Sequence, residues 1–181
     1  TMLTSILLGM GVPTTANYVI TSTIAAPALL ELGVPVLAAH MFVFYFGIVA
    51  DITPPVALAA YAGSAIAGAK PMKTAINATK LAIAAFIIPY IFAMNPAMLL
   101  IDTDVVSFIL IVVTSAIGMF GVSMGLEGYM AGHLNWVLRI LSIVGGLLLI
   151  YPGVLTDIMG VAVVGAIIAI QMAKSKKQAA A

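Results

Sequence analysis

The strongest constraint on this chain is the break Ala50-Asp51-Ile52-Thr53-Pro54-Pro55, which lies in the middle of an apolar run over residues 36–69. Wound as one helix, that run would be about 50 Å long at 1.5 Å per residue, whereas the hydrocarbon core of a bilayer is about 30 Å thick. The run must therefore tilt, break, or do both. Pro54 and Pro55 form the predicted helix break: neither has an amide hydrogen to donate, and Thr53, as a pre-proline residue, is pushed out of the α region. Asp51 places an ionisable carboxylate far from either end of the apolar segment. Unwound backbone at membrane depth needs protein or a cavity around it, and half-helix ends at the midplane are how secondary transporters build ion and solute sites.

Composition removes the soluble alternatives. Residues of hydrophobic type make up 64% of the chain and charged ones 7%, against roughly 25% charged in a soluble domain. The expected fold class is an all-α integral membrane protein with a re-entrant helical hairpin and both broken and continuous transmembrane helices. A formal net charge of +1 without a basic aromatic patch leaves no nucleic-acid interface. The absence of cysteine excludes disulfides and thiol chemistry. His40 and His133 are too far apart in sequence to make a metal site by themselves, and no hydroxyl has a nearby histidine base, so nothing points to an enzyme. An apolar pattern is already under way at Thr1, and the chain reads as the C-terminal piece of a longer polytopic protein.

Residues 1–31 predict a hairpin. Two apolar arms, each too short to span, flank Gly11-Val12-Pro13-Thr14-Thr15-Ala16-Asn17. Glycine, proline and β-branched threonine oppose one continuous helix there. Glu31 to Pro35 reads as a surface turn. Residues 36–69 are the broken helix, with the aromatic stretch around Phe42 on its first half and many alanines and glycines on its second, a composition that lets helices approach closely in lipid. Residues 70–80 carry Lys70, Lys73 and Lys80 and are placed on the cytoplasmic side. Residues 81–101 are read as one span, relaxed near Pro89, and Asp102-Thr103-Asp104 as an outer turn. Residues 105–124 are a further span, followed by a Gly-rich connector containing Gly128 and Gly132. Trp136 and Arg139 open the next segment as interfacial anchors. Two shorter apolar segments, 137–151 and 158–172, flank a turn with Asp157, and Lys174, Lys176 and Lys177 close the chain on the inner side. The spacings Gly121/Gly125 and Gly128/Gly132 are read as helix-packing surfaces.

The candidate site follows from the break and the hairpin. Asp51 is read as an ion- or proton-coupling group, because an ionisable residue inside a span is functional by default; the competing role is a cap on the following half-helix. Thr53 and the carbonyl of Ala50 are candidate hard-cation ligands. Thr14, Thr15 and Asn17 offer hydroxyls, an amide and helix-end N–H groups to an anionic solute, or else serve as local turn chemistry.

These residues also carry a family resemblance. Gly9-Met10-Gly11-Val12-Pro13-Thr14-Thr15-Ala16-Asn17-Tyr18, Ala26-Pro27-Ala28-Leu29, His40-Met41-Phe42-Val43-Phe44-Tyr45-Phe46 and Asp51-Ile52-Thr53-Pro54-Pro55-Val56-Ala57-Leu58-Ala59-Ala60-Tyr61 resemble the C-terminal repeat of the large permease subunit of TRAP transporters, closest to the fused permease of the TAXI subgroup. The resemblance covers roughly residues 1–100. It implies a division into residues 1–101, the transport-domain part, and 102–181, a C-terminal membrane extension. It further implies secondary active uptake of a carboxylate-type solute through an elevator motion in a bacterial or archaeal inner membrane. The partners it implies are a periplasmic solute-binding protein and the rest of the permease, including an N-terminal repeat and small-subunit helices, all within the lipid bilayer. No cofactor is implied beyond a coupling sodium ion, whose site would use Gly9, Gly11, Ala50 and Thr53. Asp51 departs from the general family pattern and brings in proton coupling, since a desolvated carboxylate has its pKa raised. The alternatives are another inverted-repeat carrier that works without a binding protein, or a non-transporting scaffold.

Overall fold

The computed structural model describes residues 1–151 and 153–175 in full and the backbone of 176–179. The topological role of Lys176 and Lys177, and Pro152 in the predicted turn, lie outside what is described. The described residues form ten α-helices and two short 3-10 turns, with no strand among them. Two compact units divide at Ile101/Asp102.

In the first unit, α1 (Met2–Gly9) and α2 (Thr14–Ile24) form a hairpin, and α3 (Ala26–Glu31) continues its outer arm after a break at Ala25. The central element is α4 (Val36–Val49). Its buried residues Ala39, Phe42, Val43 and Phe46 recur at helical spacing and face Ile6, Ala26 and Leu29 of the hairpin side. On another side α4 packs on α7 (Ile83–Met94) through aromatic edges: Phe42 to Tyr90 at 5.2 Å and Phe46 to Tyr90 at 5.7 Å between centroids. Each such pair is worth about 0.5–1.5 kcal/mol beyond area burial. Lipid removes most of the hydrophobic drive between helices, so contacts of this kind decide the packing.

The run over 36–69 breaks as its prolines require. After α4 the chain makes a 3-10 turn, Ala50–Ile52, and stays irregular until α5 (Leu58–Ile66), entering it through Ala57 at φ 39°. Ala60 of α5 packs beside Ala75 of α6 (Pro71–Leu81).

The predicted span 81–101 is corrected. Helices α6 and α7, separated by Ala82 alone, supply one apolar stretch over Pro71–Met94, and the chain leaves it at Asn95. Pro96 disfavours the α region for Asn95, which adopts φ −136° and ψ 81°. A second 3-10 turn, Pro96–Leu99, follows.

The second unit is a three-helix bundle of α8 (Val105–Glu127), α9 (Trp136–Ile150) and α10 (Val154–Ala179). Asp104 caps α8, its Oδ2 accepting from the amides of Val106 (3.0 Å) and Ser107 (3.1 Å). Glycine surfaces hold the bundle: a Cβ on Gly121 would lie 2.9 Å from Val164, and one on Gly125 would lie 2.7 Å from the Arg139 carbonyl. Gly128 and Gly132 do not form the expected helix face. Gly128 ends α8 at φ 70°, and Gly132 accepts from the Met130 amide inside a tight connector. Two other expectations change. Val154, Leu155, Thr156 and Asp157 belong to α10 instead of a turn, and the resulting apolar stretch, Val154–Ser175, has full spanning length. The first helical turn is closed by the Asp157 amide, which donates to the Gly153 carbonyl at 2.9 Å.

Candidate functional site

Carbonyls of Val49, Ala50, Ile52 and Pro55 at the helix break find donors. Removing amide donors at Pro54 and Pro55 frees carbonyls, and a buried unpaired one costs about 1–3 kcal/mol. The Thr53 hydroxyl donates to the Val49 carbonyl at 2.7 Å, and the Thr53 amide donates to the Ala50 carbonyl at 3.3 Å. Thr79 of α6 donates its hydroxyl to the Ile52 carbonyl at 3.1 Å, and Tyr61 of α5 donates to the Pro55 carbonyl at 2.8 Å. The Thr53 oxygen keeps its lone pairs, and the Ala50 carbonyl holds only one long bond. Both remain able to accept further.

The hairpin tip faces this break. Gly11, Val12 and Pro13 line a cavity of about 300 Å³ whose other walls are Asp51, Leu58 and Ala59. Helix α1 also touches the 3-10 turn at Ala50–Ile52. Asp51 and Ala59 additionally line a second cavity of about 530 Å³, with Phe44, Tyr45 and Ile48 of α4 and Ala85 of α7. Asp51, half-buried, therefore stands in the wall between two hollows.

Two helices begin at the tip cavity. Helix α2 starts at Thr14, directly after Pro13, with no side chain capping it. Helix α5 starts at Leu58, also uncapped by a side chain. First-turn amides have no intrahelical partner, and the helix dipole is positive there. The cavity thus combines two positive helix ends with one carboxylate. Among the described residues, no group of three histidine, cysteine or acidic side chains is placed to hold a metal.

Gly11 reaches the cavity, at φ 70°, a conformation that favours glycine. Gly9 lies behind it, packed on Gly47 of α4. Thr14 and Thr15 are exposed at the start of α2, while Asn17 is 2% exposed and is wedged beside Gly9 and Gly47. Two contributors escaped sequence reading, Thr79 and Gly47, and Tyr61 was read only as the end of the motif that follows the prolines. Gly47 lies in an apolar stretch where the only signal was a small residue, and Thr79 lies among the polar residues of a lysine-bearing helix, which hid it. His40 of α4 is paired with the hairpin: the Tyr18 hydroxyl and His40 Nδ1 are 2.9 Å apart.

A helical hairpin set tip-first against an unwound, carboxylate-bearing helix, in a chain with three apolar helices of spanning length, defines a multi-pass membrane protein of transporter type. The sequence model of the family described as "Tripartite ATP-independent periplasmic transporter, DctM component" matches residues 1–106, and the chain belongs to that family. It is a component of a TRAP secondary transporter. No curated protein and no solved structure shows a significant match to the chain.

Proposed function

We propose that the chain is the C-terminal transport-domain portion of a TAXI-type TRAP permease, followed from residue 102 by a membrane extension. It serves inward movement of a carboxylate-type solute handed over by a periplasmic binding protein, in a bacterial or archaeal inner membrane. The transport domain moves as an elevator, together with the N-terminal repeat and small-subunit helices. The observation that carries this reading is the cavity shared by Gly11, Val12, Pro13 and Asp51.

Its electrostatics supply the coupling. The N-terminal ends of α2 and α5 favour an anion, and Thr14 and Thr15 offer it hydroxyls. Asp51 opposes that anion as long as it is ionised and alone. A cation held by the carbonyls of Gly9, Gly11 and Ala50 and the Thr53 hydroxyl relieves the repulsion, and so does a proton on Asp51. Solute and cation therefore bind better together than apart, which is what a symporter needs.

The test is uptake by the permease containing this chain, in proteoliposomes with its binding protein, with sodium and proton gradients imposed separately. Uptake driven by sodium alone supports the Gly9–Gly11–Ala50–Thr53 site. Uptake driven by a proton gradient without sodium moves coupling to Asp51 and removes the sodium ligands. Uptake that needs no binding protein would favour a carrier of another kind.

A further inference from the structure

Asn17 is buried to 2% exposure on the hairpin, and its Oδ1 has no hydrogen-bond partner. That burial removes it from the solute-facing role shared by its exposed neighbours Thr14 and Thr15. Its surroundings are two backbones. A Cβ on Gly9 would lie 2.8 Å from Asn17 Nδ2 and 2.8 Å from the Gly47 Cα. One on Gly47 would lie 2.9 Å from Asn17 Cγ and Nδ2. The carboxamide thus fills a slot that exists only because residues 9 and 47 have no side chains.

The slot lies between two helix ends of like sign. Gly9 is the last residue of α1, and Gly47 lies in the last turn of α4, one turn before the Ala50–Ile52 break. C-terminal helix ends carry partial negative charge, so holding two of them together favours a cation and disfavours an empty site. Asn17 is itself held firmly. Its backbone amide donates to the Pro13 carbonyl at 2.9 Å, and its backbone carbonyl accepts from the hydroxyl of the fully buried Thr21 at 2.9 Å, which fixes the base from which the side chain projects. The Asn17 side chain of α2 thus packs between α1 and α4 at a single point.

We propose that Asn17 is a positioning residue for the coupling cation: its carboxamide sets the spacing between the Gly9 end of α1 and the final turn of α4, and with it the separation of the carbonyl oxygens the cation meets. This rests on the reading of Gly9, Ala50 and Thr53 as the cation site. It predicts that Asn17 acts on cation affinity, not on the turnover of the loaded carrier.

The experiment is sodium-dependent solute uptake by the permease containing this chain, in proteoliposomes, with sodium varied at saturating solute. Asn17→Ala empties the slot, and the sodium concentration for half-maximal uptake should rise about tenfold or more, with Vmax within twofold of the parent. Asn17→Ser leaves less of the slot empty and should fall between; it serves if Asn17→Ala does not yield monodisperse protein in detergent. Gly47→Ala crowds the slot from the α4 side and should shift the sodium curve in the same direction. A fall in Vmax with an unchanged sodium midpoint is the mark of a merely structural residue and overturns the proposal. A parent protein whose uptake ignores sodium overturns the cation-site reading itself, and the role of Asn17 with it.

Discussion

The Thr79 hydroxyl on α6 donates to the Ile52 carbonyl at 3.1 Å, so a residue two helices on satisfies part of the unwound segment. The same hydroxyl also lies 3.0 Å from the Ala75 carbonyl on its own helix. Thr79→Val keeps the shape and removes the donor. The expected cost is about 1 kcal/mol of stability, the typical net worth of one such bond. Uptake should slow while membrane insertion is retained. Thermal unfolding in detergent and initial uptake rates check this, and unchanged values for both would show that the bond is idle.

Asp51 separates two cavities and, among the described residues, is the only acidic one lining either. Asp51→Asn preserves shape and removes the titrating oxygen. Uptake should fall at least tenfold with normal expression. Retained uptake at the parental rate removes Asp51 from coupling.

Thr53 has a structural and a proposed ligand role on one oxygen, since its hydroxyl hydrogen is committed to Val49. Thr53→Ala should raise the sodium concentration for half-maximal uptake about tenfold, and Thr53→Ser should restore it. If both variants keep the parental sodium curve, the oxygen is a helix cap alone.

Asp104 gives a pH dependence outside the spans. Hydrogen bonds from the Ser107 side chain, then from backbone amides of the first turn of α8, hold its carboxyl below the ordinary value of 3.8. The folded pKa is lowered, so this contribution is fully present above the unfolded value and is lost as pH falls through the folded one. Fraying of the α8 start should therefore appear only below about pH 4. Asp104→Asn, itself a capping residue, should flatten that dependence in hydrogen exchange of the Val106 and Ser107 amides.

Arg139 closes the far end of α8. It donates from Nε to the Gly125 carbonyl at 2.9 Å and from Nη2 to the Leu126 carbonyl at 2.6 Å, while its guanidinium lies 5.0 Å from the Trp136 ring centroid. Arg139→Met should lower the thermal stability of the protein by about 1–2 kcal/mol, because charged donors at a negative helix end are lost. Unchanged melting in detergent would show that water replaces them at no cost.

Sequence alone determined where this chain cannot remain helical. Consecutive prolines lack donors wherever they are placed, so a break at residues 50–57 was legible, as was the Gly11–Pro13 tip, where glycine and proline act through their own backbones. Apolar composition likewise settled the membrane class, because a charge is costly at any depth in hydrocarbon. Limits of helices were less legible. The stretch Pro71–Met94 joins a lysine-bearing helix to an apolar one, and hydropathy alone divided it near residue 81. Only the tertiary structure decided which groups answer the freed carbonyls and which glycines act as sockets. Thr79 lies 27 residues from Ile52, and Gly47 lies 30 from Asn17, a pairing set by the docking of the hairpin on α4. Local sequence carries no record of such distances, because a hydrogen bond or a close backbone approach belongs to two segments that meet only when the helices pack.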